Sequence, residues 1–226
     1  TCAILDDGSL KCWGYNAYGQ LGISSTTNQN TPQTVDLGTG RTAISVKGGW
    51  GHTCAILDDG SLKCWGGNNY GQLGIGSTTD QYSPQTVSFS NNQTPTDIIV
   101  GQYTSCAVLD DTRMMCWGSN RYWFESSSSA SIPSPKYLSR GLNINVVEVS
   151  GGYYHTCAIL DDGSLKCWGS NGYGQLGIGS TTQQTSPQTV DLGAGRTAVS
   201  VSAGYYHTCA ILDDGSLKCW GHNGYG

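Results

Sequence analysis

Residues 44–47 read Ile-Ser-Val-Lys, an apolar/polar alternation with the period of a strand that has one face in a core. Gly48-Gly49 interrupts it, and two further short runs follow at residues 53–57 and 61–65. Between those runs lies Asp58-Asp59-Gly60. An Asp-Gly step between apolar runs predicts a tight hairpin, because glycine supplies the positive φ that the turn needs. A hairpin centred on Asp59 places Cys54 opposite Cys64 and Ile56 opposite Leu62. A loop rich in Gly, Asn, Ser and Thr spans residues 66–82, and Pro84-Gln85-Thr86-Val87 then predicts a short edge strand, where proline's missing N–H is tolerated. No sustained helical period of three and four is present.

This pattern recurs. The ten cysteines form five pairs, Cys2/Cys12, Cys54/Cys64, Cys106/Cys116, Cys157/Cys167 and Cys209/Cys219, and the first members of successive pairs lie 52, 52, 51 and 52 residues apart. A fixed period is the signature of a repeat architecture, and four short strands in a unit of this length suggest the blade of a β-propeller. The expected fold is therefore all-β. Residues 1–226 form one propeller segment of four full repeats plus a partial fifth, part of a larger ring or array. Both ends carry the same hairpin, which points to a piece of a longer chain and to a segment that does not close a ring by itself.

Zinc ligands usually stand two to four residues apart, so a ten-residue spacing across a hairpin argues for disulfides instead. Opposed Cβ atoms lie about 4.5–5.5 Å apart, and a disulfide needs about 3.5–4.5 Å, so a small strand adjustment suffices. Disulfides are expected within hairpins 2–12, 54–64, 106–116, 157–167 and 209–219. Each should contribute roughly 2–3 kcal/mol. Five of them imply an oxidising compartment, extracellular or at a cell surface.

Composition narrows the function. Charged residues are 12% of the chain, glycine occurs 33 times and tyrosine 13 times, and the net charge is −5. Only 11 lysines and arginines are spread along it, with no basic face for nucleic acid. No apolar stretch is long enough for a membrane-spanning helix. No cofactor, metal site or catalytic constellation is expected. His52, His155 and His207 share one repeat position, where recurrence favours a structural imidazole bonded to backbone between strands. His222 is expected to face solvent. The Asp-Asp pairs sit at hairpin tips, where turn chemistry alone favours aspartate over calcium ligation or acid–base work.

The candidate interaction residues are aromatic. Trp50, Tyr103, Tyr153, Tyr154, Tyr205 and Tyr206 precede the first cysteine of their units by three or four positions, and they suit either an interface or packing between blades. The third unit departs from the pattern: Arg121-Tyr122-Trp123-Phe124-Glu125 stands where other units have Gly-Gln-Leu-Gly, ahead of a Ser/Pro run. Trp123 and Phe124 are expected to anchor a contact there. Asn92-Gln93-Thr94 is an N-glycosylation sequon, followed by Pro95.

The stretch GYYHTCAILDDGSLKCWGSNGYGQLGIG at 152–179, repeated from residue 204, resembles the repeat of the regulator of chromosome condensation family. The resemblance covers essentially the whole chain and implies blades of a seven-bladed β-propeller. The paired cysteines are similar to secreted rather than nuclear members. The expected function is a binding or structural propeller segment outside the cell, with protein or glycan partners, further copies of itself among them, and no catalysis. The alternative that the resemblance implies is a guanine nucleotide exchange factor for a small GTPase.

Overall fold

The computed structural model describes residues 1–120, 131–138 and 145–224. Its strands form five antiparallel sheets. The first contains β1 (Cys2–Ile4), β2 (Leu10–Gly14) and β3 (Gln29–Thr34); the second contains β4 (Ala43–Gly48), β5 (His52–Leu57), β6 (Leu62–Gly66) and β7 (Gln81–Val87). The third contains β8 (Pro95–Val100), β9 (Thr104–Leu109), β10 (Met114–Ser119) and β11 (Ser131–Tyr137). The fourth is β12 (Val146–Gly151), β13 (His155–Leu160), β14 (Leu165–Gly169) and β15 (Gln184–Thr189), and the fifth is β16 (Ala198–Ala203), β17 (His207–Leu212) and β18 (Leu217–Gly221). Strands follow one another in sequence order across each sheet, the up-and-down order of a propeller blade. The chain divides into two compact units, one holding β1–β11 and the other β12–β18.

The register agrees with the sequence pattern. Cys54 faces Cys64 and Ile56 faces Leu62, and each of the other cysteine pairs is likewise directly opposed. All five pairs are bridged, with Cα atoms 4.0–4.1 Å apart. Leu57 donates its N–H to the Ser61 carbonyl, so by alternation Cys54 and Cys64 fall at a non-hydrogen-bonded site. There the strands come closest, which is the adjustment a cross-strand disulfide needs.

Strand β5 is buried along its whole length, because each of its faces meets a neighbour. Ala55 and Leu57 join Leu10, Cys12, Leu21 and Val35 of the preceding sheet. Cys54, Ile56, Leu62 and Cys64 pack against Ile98, Val100, Leu109 and Trp117 of the following one. The disulfide is thus part of the apolar layer between sheets. The second unit repeats the arrangement, with Cys157, Ile159, Leu165 and Cys167 against Val201, Ala210 and Leu212.

Cys219 is bonded to Cys209 as expected, but it is exposed, whereas its counterparts Cys12, Cys64, Cys116 and Cys167 are buried. The reason is packing. Among the described residues no further sheet lies against the face of β17 and β18 that carries Ile211, Leu217 and Cys219, and Ile211 and Leu217 are exposed with it. Cys209 and Cys219 instead border an open cleft with Tyr205, Tyr206 and Trp220.

Glycine is required where the loop after β6 meets the next sheet. Gly74 has φ +73°, and a Cβ there would lie 2.6 Å from the indole nitrogen of Trp117. Gly76, with φ +75°, would meet nothing nearer than the Ser134 hydroxyl at 3.7 Å. The two separate backbone strain from steric overlap. Gly76→Ala is expected to cost about 1–2 kcal/mol, the usual penalty of the left-handed region. Gly74→Ala adds overpacking of about 1–3 kcal/mol. Urea denaturation of the two variants measures the difference, and equal midpoints would show that the Trp117 contact yields freely.

Candidate functional site

Three side-chain systems recur in the repeats, and two of them prove structural. At the hairpin tips the second aspartate of the pair accepts the N–H of the residue two positions on, as Asp59 does from Ser61 (3.0 Å) and Asp162 from Ser164 (2.8 Å). The serine, through its hydroxyl and its N–H, holds Asp7, Asp59, Asp162 and Asp214 below the usual carboxylate range. Arg41 reaches Asp58 (3.4 Å) and Asp59 (3.3 Å), and Arg196 reaches Asp213 (3.5 Å) and Asp214 (3.0 Å). The pairs therefore build turns, as aspartate there should. Among the described residues no cluster of three or more His, Cys, Asp or Glu forms a metal-binding group.

The histidines form a joint between sheets. The Gln72 carbonyl accepts the Trp117 indole N–H (2.9 Å) and the Ser105 hydroxyl (2.8 Å). That uses the one proton Ser105 has, so His52 Nε2, 2.8 Å from Ser105 Oγ, is the donor and the ring is the neutral Nε2–H tautomer. In the second unit His155, Thr208, Gln175 and Trp220 make the same joint at 2.8, 2.8 and 2.9 Å. Burial pushes His52 down to about 3, and burial together with His207 pushes His155 down to about 4. The His52 and His155 imidazoles are structural, but their partner is a hydroxyl of the next sheet where a backbone group was expected; His207 is exposed and borders the cleft beside Tyr205 and Tyr206. His222 is exposed and lies edge-on to Tyr173.

The asparagine of the Gly-Gln-Leu-Gly loop is a further structural residue, one without an expected role. Asn68 is fully buried and donates to the carbonyls of Ser77 (2.9 Å) and Thr79 (3.0 Å), while its Oδ1 accepts the Leu73 N–H (3.0 Å). Asn16 and Asn171 repeat these bonds. Its invariant spacing before the loop in three units was the available signal.

The aromatic residues do gather. In the first unit Tyr15 contacts Tyr18 (6.3 Å between centroids), Tyr18 contacts Trp50 (5.1 Å), Trp50 contacts Tyr103 (5.9 Å) and Tyr103 contacts Tyr70 (4.8 Å). These contacts cross from sheet to sheet, yet Trp50 keeps 49% of its surface open and Tyr15 59%. In the second unit Tyr153 stacks on Tyr205 at 3.8 Å, with Tyr154, Tyr206 and Tyr173 around them. Burial and the Tyr205 hydroxyl raise the Tyr153 phenol. The rings both link blades and remain exposed. Tyr15, Tyr18, Tyr70 and Tyr173 were missed as members, because they belong to the loop after the second cysteine rather than to the strand entry. Gln102, buried, holds the position that Trp50, Tyr153 and Tyr205 occupy in their units.

Charge is segregated along the blade of β4–β7. Strand β5 runs from His52, beside the aromatic turn, to Leu57 at the acidic tip, so rings and carboxylates stand at opposite ends, about 20 Å apart at 3.3 Å per residue. Segments 14–22, 48–52, 66–76 and 101–105 contain no Asp, Glu, Lys or Arg, and neither do 151–155, 169–179 and 203–207; the corresponding loop of the third repeat carries Arg121 and Glu125, outside the described residues. Asp80, in the loop before β7, receives the Asn68 N–H (2.6 Å).

Arg121, Tyr122, Trp123 and Phe124 lie outside the described residues. Asn92 is exposed at the end of a short 3-10 turn, and Thr94 of its sequon donates to Asp110 (3.1 Å).

Comparison with known proteins places this geometry. The regulator of chromosome condensation (RCC1) repeat matches at residues 7–56, 59–108 and 162–211, and a second description of that repeat matches at 43–72, 146–175 and 198–226. The ultraviolet-B receptor UVR8 of Arabidopsis thaliana is 31% identical over 220 residues, 97% of this chain and 50% of its own length. The E3 ubiquitin-protein ligase HERC2 of Homo sapiens is 30% identical over 213 residues, 93% of this chain but 4% of the ligase. The chain thus spans half or less of these relatives. Among solved structures, human WBSCR16 superposes with a TM-score of 0.85 at 20% identity, covering 98% of this chain and 59% of that one. Yeast RCC1 (Prp20) superposes at 0.83 and 20% identity, covering 97% and 53%. The repeat matches take up more than half of the sequence, and the chain belongs to the regulator of chromosome condensation (RCC1) repeat family.

Proposed function

We propose that this chain is a binding module of the extracellular space or cell surface, and that its ligand meets the uncharged aromatic end of the blades. The observation that carries this reading is the line of partly open rings from Tyr15 through Trp50 to Tyr70, at the end of the blades opposite the charged tips. Exposed aromatic surface of this kind is typical of recognition sites. The five disulfides support the compartment, because cytosolic thiols stay reduced.

The test compares two surfaces. Trp50→Ala should weaken retention on the outer surface of cells by at least about tenfold, as loss of one aromatic anchor usually does. Asp58→Asn with Asp59→Asn, at the opposite end, should leave retention unchanged. A nucleotide-release assay on small GTPases serves as the competing arm. Accelerated release, with cell-surface retention insensitive to Trp50→Ala, would replace the binding reading by exchange activity.

A further inference from the structure

If the aromatic end is the binding surface, its chemistry narrows the ligand. We propose that it binds a neutral polysaccharide, through stacking of sugar rings on the tyrosine and tryptophan faces. Three observations carry this. First, segments 14–22, 48–52, 66–76 and 101–105, which carry the rings from Tyr15 to Tyr103, hold no charged residue, so that surface offers nothing to pair with a sulfate, phosphate or uronate group. Second, the apolar groups it presents are rings. The aliphatic residues Leu21, Leu73 and Leu176 of the same loops are buried, and protein interfaces, by contrast, are enriched in arginine as well as aromatics. An aromatic face carries partial negative charge, which attracts the weakly positive C–H face of an uncharged sugar without an ionic partner.

Third, the ring pairs repeat. Tyr70 and Tyr103 lie 4.8 Å apart at 42°, and Tyr173 and Tyr206 lie 4.9 Å apart at 42°. Each pair joins the loop of one sheet to the strand entry of the next, and within the β1–β11 unit Tyr18 and Trp50 make a similar contact at the preceding junction (5.1 Å, 45°). A repeating surface suits a repeating ligand. Contacts that are weak singly then add through effective concentration along one polymer strand.

The experiment uses the intact, oxidised chain with cellohexaose and mannohexaose as neutral probes, and with polygalacturonate and heparin as charged comparators. Titration calorimetry and quenching of Trp50 fluorescence should report binding of at least one neutral hexasaccharide. Its affinity should change less than twofold as salt is raised from about 0.1 M to about 1 M, because no ion pair is screened. Trp50→Ala should lower affinity at least tenfold and Trp50→Phe should retain most of it; an unchanged melting temperature shows that the fold is intact. Binding only of the polyanions, lost in salt, overturns the proposal. If no glycan binds yet Trp50→Ala still weakens cell-surface retention, the glycan assignment fails, the aromatic surface stands and the ligand is a protein. If neither glycan binding nor retention depends on Trp50, both readings fall together.

Discussion

Reduction of the three disulfides in the β1–β11 unit is expected to remove most of that unit's stability. Each bridge closes ten residues of sequence separation, and the loop-entropy relation assigns such a loop about 2.7 kcal/mol. Three together approach about 8 kcal/mol, within the 5–15 kcal/mol of a whole domain. Cys54, Cys64, Cys106 and Cys116 are at most 1% exposed, so these two bridges resist reductant while the sheets are intact. Thermal unfolding followed by circular dichroism should show one transition without reductant. With reductant present during the scan, the chain should unfold and fail to recover its strand signal on cooling. Full recovery in reductant would mean that sheet packing alone holds the blades, and that the bridges contribute little to the equilibrium.

Acidification should weaken both units through their buried histidines. His52 has an unfolded pKa of 6.5 and is held at about 3 when folded, because burial disfavours the imidazolium. With the folded value depressed, the unfolded chain binds more protons between these limits. Stability is therefore complete above pH 6.5 and falls as pH drops towards 3. The slope is at most about 1.4 kcal/mol per pH unit, which amounts to about 2.7 kcal/mol by pH 4.5. His155 behaves likewise in its own unit, down to about 4. The tip aspartates are held below 3.8 and add their loss only at lower pH. His52→Gln keeps an N–H donor for Ser105 and does not titrate. Urea midpoints of this variant between pH 7 and 4.5 should be flatter than those of the parent by one histidine's share. Parallel curves for the two proteins would show that His52 is already charged in the folded chain.

Much of this architecture could be read before any coordinates. The strands at 44–47, 53–57 and 61–65 announced themselves through alternation, and Asp58-Asp59-Gly60 set the hairpin register that brings Cys54 to Cys64. Pro84 sits in the outer strand β7, as its missing donor requires. Spacing paired Cys209 with Cys219 equally well, but the exposure of Cys219 depends on which sheet lies beside it, and a repeat period carries no such information. The joints were harder to foresee. The acceptor at their centre is the backbone carbonyl of Gln72, and no side-chain pattern marks a carbonyl. Asn68 looked like ordinary loop composition because its three partners are also backbone groups. The aromatic surface was half visible. Strand-entry residues such as Trp50 stood out, whereas Tyr18 and Tyr70 reach it only because adjacent sheets bring a loop and a strand entry together.

The joint between sheets also has a hereditary consequence. Its histidine and its glutamine carbonyl come from one blade, and its hydroxyl and indole come from the next. Every repeat with the full pattern therefore carries both the socket and the plug. Unequal recombination that inserts or deletes one 52-residue period, wherever it breaks, leaves each remaining socket facing a matching plug. A lineage built this way can lengthen or shorten its array in single steps without compensating mutations, and ligand-binding loops can diverge while the couplings stay interchangeable. The third unit shows the tolerance of the scheme: Thr104 has replaced the histidine of its socket, while Ser105 and Trp117 keep its plug compatible with the blade before it.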